Sequence, residues 1–326
     1  MSITLVNLFA IVLPIVVLET QGTEFLIDKK PTFLLGASYY AGLGAPDEFI
    51  DKDLKDLKDK GFNWIRVWAT WGAFGNNVSA FDDEGKAREP YLTKLKKLIE
   101  KADKLGMIVD VTLSRSNGIV GTGSLPSQEA HLNAVTVIAN ELKPYRNIYI
   151  DLANEHDVQD RRYVGFDELA ILRDRIKSID PQRLITVSSG DISEDELKKY
   201  LEIVKVDFIT PHSPRHAGSP NETIAKTKEY LQIMRKYGKV VPLHYQEPFR
   251  RGYDSWEPIA DDFLLDLKNA KENGAAGWCF HNGDTGAKKD GRPRRSFDMR
   301  KEEGRLFDQL DNEEMKVVDQ VKLIFQ

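Results

Sequence analysis

Apolar and polar positions along this chain follow two different periods. From residue 33 onward, short and nearly continuous apolar runs alternate with longer segments whose apolar residues recur three and four apart. The short runs lie at 33–38 (FLLGAS), 62–68 (FNWIRVW), 107–113 (MIVDVTL), 147–153 (NIYIDLA), 183–189 (RLITVSS), 206–210 (VDFIT), 239–245 (KVVPLHY) and 275–280 (AAGWCF). Rich in β-branched and aromatic residues, they have the composition of strands buried on both faces. The segments 48–60, 91–105, 127–142, 166–179, 193–204, 221–237 and 258–273 carry helical stripes, as in Leu92, Leu95, Leu98, Ile99, Ala102 and Leu105. Helical material follows from about 300 to 324. Pro90 stands at a helix entry, and Gly61, Gly106, Gly238 and Gly274 stand just past exits.

Eight strand–helix alternations without a Gly/Ser/Pro-rich linker predict one α/β domain, a single (β/α)8 (TIM) barrel of parallel strands. Such barrels place their chemistry in the loops after the strands. Here the segments 69–89, 114–125, 211–219, 246–257 and 281–299 are long and rich in aromatic, glycine and polar residues. The turns before the strands are brief: Lys60-Gly61, Leu105-Gly106, Tyr237-Gly238 and Asn273-Gly274. The active site is therefore expected at the C-terminal ends of the strands.

Composition narrows the classes. The 326 residues carry 46 Lys+Arg against 51 Asp+Glu, a formal net charge of −5. That balance offers no clustered basic face for nucleic acid. One cysteine, Cys279, excludes a disulfide within the chain and a four-cysteine zinc site. Residues 1–18 are mostly apolar, interrupted by Asn7 and Pro14. The stretch is too short for a stable membrane span and fits the hydrophobic region of a secretory signal. The expectation is a signal peptide over 1–22, a catalytic barrel over 23–326 and a secreted or periplasmic location. A buried first strand or helix is the alternative.

The fourth strand ends in Asp151-Leu-Ala-Asn154-Glu155, and the seventh runs into Gln246-Glu247-Pro248. Two carboxylates at the ends of opposed strands point into one barrel mouth. Glycoside hydrolysis needs such a pair, one to protonate the leaving oxygen and one to attack or to activate water. The alternative is a pair of solvent-facing loop glutamates.

YIDLANE resembles the signature of the clan A glycoside hydrolases, above all the cellulase-like family five, and the resemblance covers roughly residues 30–300. It implies a cofactor-free retaining β-glycoside hydrolase acting on a carbohydrate, with Glu155 as acid/base and Glu247 as nucleophile. Asn154 would bond the sugar 2-hydroxyl. Arg66 in IRVW resembles the arginine that keeps the nucleophile ionised; an internal salt bridge to Asp110 or Asp151 is its other reading. Trp278 in GWCF resembles the tryptophan flooring the cleavage subsite, with a core tryptophan as alternative. His212 in ITPHSP resembles the clan's strand-six histidine.

The sequence also departs from the pattern. His156 stands where proline usually follows Asn-Glu, and Ser114 and Arg115 replace a strand-three histidine. Pro214 occupies the place of a tyrosine that donates to the nucleophile, so Tyr245 or His244 is expected to supply that bond. Tyr39, Tyr40, Trp68, Trp71, Tyr253 and Trp256 are candidate sugar platforms. The runs RRGY (250–253) and GRPRRS (291–296) lie on the loops after strands seven and eight, where they could meet an acidic sugar. For a double displacement the two carboxyl groups should lie about 5–5.5 Å apart, with Glu247 ionised and Glu155 protonated at rest. No metal site is expected, because H-E-x-x-H and a first-strand H-x-H are missing. A non-catalytic carbohydrate-binding barrel and, less favoured, a histidine-based metal hydrolase are the competing classes.

Overall fold

The computed structural model describes residues 16–114, 124–158, 161–190, 192–253, 255–283 and 295–325. Among the described residues a three-stranded antiparallel sheet comes first, with β1 (Leu18–Gln21) paired to β2 (Glu24–Ile27) and β2 to β3 (Lys30–Thr32). The parallel strands follow: β4 (Leu34–Ser38), β5 (Trp64–Trp68), β6 (Ile108–Ser114), β7 (Ile148–Asn154), β8 (Leu184–Thr186), β9 (Ser188–Ser189), β10 (Thr210–Pro211), β11 (His244–Tyr245) and β12 (Gly277–Phe280). Seven of them join in the order β11-β12-β4-β5-β6-β7-β8, and β9, which prolongs β8 past Val187, pairs with β10. A parallel bridge from Ile209 to Leu243 carries the sheet from β10 to β11. The eight expected staves are thus present in the expected order, and the fold is a (β/α)8 barrel.

Burial explains the apolar runs. Every residue of β4, β5, β6 and β7 is buried, because one face meets the helices and the other the barrel interior. The helix layer comprises α1 (Asp47–Asp59), α2 (Tyr91–Lys104), α3 (Gln128–Glu141), α4 (Phe166–Ile179), α5 (Glu194–Lys199), α6 (Ser219–Lys236) and α7 (Ala260–Glu272). The helical stretch expected at 300–324 is split into α8 (Leu306–Gln309) and α9 (Asn312–Gln320). Asp311 restarts it as an N-cap, accepting from the backbone of Glu313 and Glu314.

Inside, the barrel is layered. Trp64, Tyr149, Phe208 and Cys279 form an apolar floor with Leu34 and Ile108. His244 packs edge-on to Trp64, with ring centroids 4.6 Å apart. A Cβ on Gly36 would sit 1.7 Å from the Trp64 ring, and one on Gly277 2.4 Å from His244 Nδ1, so both positions need glycine. One turn of the pleat above come Arg66, Asp110, Thr112 and Asp151, all fully buried and polar. The mouth lies above them.

The N-terminal boundary expected at residue 22 does not match the fold. Phe25, fully buried, closes the barrel floor against Phe208. β1 is its pairing partner, while Leu18 N–H donates to the Arg146 carbonyl and Val16 N–H to Asp103 Oδ1. Residues 16–21 therefore belong to the folded unit; the rest of the expected signal, 1–15, lies outside the described residues. A chain beginning at Thr23 loses the burial of Val16 and Leu18. We expect about 3–6 kcal/mol less unfolding free energy, at roughly 1.5–3 kcal/mol per buried aliphatic side chain, read as a lower denaturant midpoint.

Candidate active site

Arg66 is the centre from which the site is built. Strand β5 turns it inward, and no part of its surface reaches solvent. Its Nη1 donates to Glu247 Oε2 at 2.6 Å and to the Tyr40 hydroxyl at 3.2 Å. Nη2 donates to Asn154 Oδ1 at 2.8 Å and to Asp151 Oδ2 at 3.1 Å, and Nε to Thr112 Oγ1 at 3.1 Å. Both readings of this arginine therefore hold at once: it holds Glu247, and it pairs internally with Asp151. Asp110 lies 3.4 Å from Nε and is also bonded by Gln246, Thr112 and Tyr149. One guanidinium cannot neutralise three carboxylates. Burial pushes Asp110, the most remote from Arg66, up to about 7.

Glu247 follows β11, and its segment is bridged in parallel to His212. Tyr40 donates to its Oε2 at 2.7 Å, and Arg215 Nη2 to its Oε1 at 2.6 Å. Burial alone would raise this carboxyl. The imidazole of His212 and the guanidiniums of Arg215 and Arg66 outweigh it and hold Glu247 well below the usual carboxylate range.

Glu155 directly follows β7 with a φ of 46°, in the left-handed region that non-glycine residues rarely adopt. Ser188 on β9 fixes the kink: its Oγ accepts from Glu155 N–H, and its carbonyl from His156 N–H, both at 3.2 Å. A proline at 156 could not donate the second bond. The His156 ring is anchored as well, donating from Nδ1 to the Val164 carbonyl and accepting from the Tyr200 hydroxyl. The loop is accordingly built around histidine instead of the usual proline. Glu155 Oε1 lies 3.0 Å from His212 Nδ1. Burial pushes this carboxyl up, but the hydrogen bond and charge of His212 overcome it, and the net direction is down. The expectation of a protonated Glu155 at rest is corrected here: the acceptor side of the pair is the carboxylate.

Donor atoms of Glu155, His212 and Glu247 all lie within 4.8 Å of one another. That spacing is nearer the about 5–5.5 Å of a direct-attack pair than the about 6.5–9.5 Å of a pair that accommodates a water. The same trio is spaced to surround a cation. Glu247, however, already accepts from two guanidiniums and a phenol, an environment that repels a metal ion.

Other expected residues sit elsewhere. The Trp278 side chain points outward into the helix layer, where Nε1 donates to Asp266 Oδ2 at 2.7 Å. It floors no subsite. Tyr245 pairs with Trp278 in register and faces the same way, its hydroxyl 2.8 Å from Thr227 Oγ1. His244 lies in the floor. Neither reaches Glu247, and Tyr40 supplies the expected phenolic donor. Trp68 and Tyr40 are 4% and 1% exposed, so they wall the site rather than offer open platforms. Trp68 packs on Tyr40 and Trp71, beside the Arg66 guanidinium. Tyr39 bonds Asp53, and Trp256 packs on Phe249. Among the six candidate aromatics Tyr253 is the exposed one, at 45%. Arg215, Arg250 and His281 were missed as residues around Glu247. His281 Nε2 and Arg250 Nη1 each lie 3.8 Å from its Oε1. The only available signals were the arginine run after strand seven and a histidine directly after strand eight.

A family model described as cellulase (glycosyl hydrolase family 5) matches residues 28–232. No curated protein matches the sequence significantly. Among solved structures, a glycoside hydrolase superposes with a TM-score of 0.65 at 15% identity, over 82% of this chain and 65% of its own. A family 5 glycoside hydrolase from Bacteroides vulgatus ATCC 8482 gives 0.64 at 15% identity, over 82% and 62%. The endo-1,4-β-mannanase of Rhizomucor miehei gives 0.68 at 14% identity, over 95% and 99%. The chain thus spans just under two thirds of the first two and nearly all of the third. At these identities the likeness establishes the fold.

Two substitutions test the placements. Tyr40→Phe removes a donor from the ionised form of Glu247 and should move its titration to higher pH, read by carbon-13 NMR of the labelled carboxyl. Trp278→Phe leaves Asp266 short of a donor and should cost about 1–3 kcal/mol of stability. The Glu247 titration should stay where it was; a shift would put Trp278 back beside the site.

Proposed function

The chain belongs to the cellulase family, glycosyl hydrolase family 5, and from that premise we propose that it is a retaining β-glycoside hydrolase cleaving β-linked oligo- or polysaccharide. The observation that carries the reading is the pair Glu155 and Glu247, with oxygens within 4.8 Å of one another, Glu247 held by Arg66, Arg215 and Tyr40 and Glu155 by His212. Glu247 is the nucleophile: Arg66 and Tyr40 hold Oε2, so Oε1 is the oxygen that attacks the anomeric carbon. Arg66 also grips Asn154 Oδ1 and so orients that amide toward the sugar 2-hydroxyl.

Glu155 is the acid/base, and its proton comes through His212. When His212 carries both ring protons, the imidazolium 3.0 Å away can pass the Nδ1 proton to Oε1, leaving a neutral imidazole and a carboxylic acid. The neutral pair that results is favoured when sugar displaces water from the mouth, since burial disfavours separated charges. Glu155 then protonates the leaving oxygen, and as carboxylate it deprotonates the water that hydrolyses the glycosyl enzyme.

One observation favours a non-catalytic sugar-binding barrel: Arg215 covers Glu247 Oε1. Turnover of aryl β-glycosides by the wild type decides between the two. The apolar amino-terminal stretch supports an exported enzyme, and any processing falls ahead of Val16, because the following residues pair into the barrel.

Glu155→Ala should cost about 10²–10⁴-fold on natural substrates and far less on aryl glycosides, whose leaving groups need no proton. Glu247→Ala should abolish both, and azide should restore turnover with a glycosyl azide of inverted configuration. Equal losses in Glu155→Ala, or a retained azide product, would reverse or refute the roles. The pH profile supplies a further test. The lowered Glu247 pKa places the acid limb below the usual carboxylate range. His212→Gln removes what depresses Glu155, so the alkaline limb should move to higher pH.

A further inference from the structure

Three features of the mouth exceed what a neutral sugar requires, and all three are cationic. Arg215 and Arg250 stack on the same exposed ring, Tyr253, at 4.4 and 4.5 Å from its centroid. Arg250 is almost wholly buried yet poorly satisfied. Its Nη1 donates to the neutral His281 Nε2 at 3.2 Å, and among the described residues its Nε has no partner. Its guanidinium lies 3.8 Å from Glu247 Oε1, beyond hydrogen-bond reach. Burial and the neighbouring charge of Arg215 push it down to about 10. A desolvated cation with unfilled donors is costly unless an anion completes it. Arg215, meanwhile, blocks the very oxygen of Glu247 that must attack.

We propose that the sugar bound against Glu247 carries a carboxylate, a uronic acid residue, which takes the guanidiniums of Arg215 and Arg250. Its planar carboxylate matches the fork of an arginine. In binding, it draws Arg215 off Glu247 Oε1 and replaces one carboxylate partner with another. The nucleophilic oxygen is uncovered only when the acidic sugar is present. A neutral sugar leaves Arg215 on Glu247. This inference rests on the glycosidase reading only for its consequence; the anion site stands on its own contacts.

The test therefore has a binding arm and a turnover arm. The full-length protein is titrated by calorimetry with methyl β-glucuronide, galacturonide and mannuronide, their neutral counterparts, and a sulfated methyl glucoside. Matched aryl β-glycosides are assayed in parallel. At least one uronide should bind about 10–100-fold more tightly than its neutral partner, the range for a charge-assisted hydrogen bond or two, and added salt should weaken it. Arg215→Gln and Arg250→Gln should each collapse that ratio. Arg250→Lys, which keeps the charge but not the fork, should recover part of it, and thermal melts establish that each variant is folded. Neutral sugars bound as well as uronides, no uronide bound, a tighter sulfated sugar, or a ratio unchanged in both glutamine variants would overturn the proposal. Selective uronide binding with no turnover of any glycoside would instead leave the anion site standing and remove the hydrolase reading. Turnover confined to neutral glycosides would do the opposite.

Discussion

A single buried guanidinium organises the functional half of this barrel. Arg66 has no solvent to hydrate it, and its charge is tolerable only because its N–H groups find acceptors on four different strands and loops. Taking such a charge from water costs several kcal/mol even after relaxation. Glu247, Asn154 and Asp151 are thus tied to one rigid point. The same contacts that make the charge tolerable set the geometry of the mouth, so the stability and the chemistry of the site are one network.

The network also divides protonation among its carboxylates by distance and company. Glu247, facing Arg66, Arg215 and Tyr40, stays ionised. Asp110, deeper and farther from Arg66, is pushed up to about 7 by burial. Glu155 is farther from Arg66, and the hydrogen bond and charge of His212 hold it down against the effect of burial. Glu247 is held by Arg66 from β5 and by Arg215 from the loop after β10, and Glu155 takes its hydrogen bond from His212 on that same loop.

Beneath, the apolar floor insulates this layer. Trp64, Tyr149, His244 and Phe25 fill the barrel where Gly36 and Gly277 leave space, and the N-terminal hairpin seals it. A polar layer on so dry a base has a low local dielectric, which strengthens each charged contact above it.

Local sequence was enough to determine the eight strands, the barrel, the end of the barrel that carries chemistry, and the residues Arg66, Asn154, Glu155, His212 and Glu247 as its candidates. The strands, the barrel, its active end and the pair Glu155 and Glu247 follow from hydrophobic period and from position at a strand end, both written within a few residues. Arg66, Asn154 and His212 came instead with the resemblance of IRVW, YIDLANE and ITPHSP to the clan A glycoside hydrolases. Tertiary structure decided what depends on strand phase and on long-range approach. Trp278 and Tyr245 share an outward face because the side-chain period is two, and a strand apolar on both sides carries no mark of which face points in. Tyr40 reaches Glu247 across 207 positions of sequence, and Arg215 and Arg250 converge on it from separate loops. The start of the folded unit was equally hidden, since Val16 and Leu18 read as the tail of an apolar leader until β1 pairs with β2. Their burial depends on Phe25 closing a floor that exists only once all eight strands have come together.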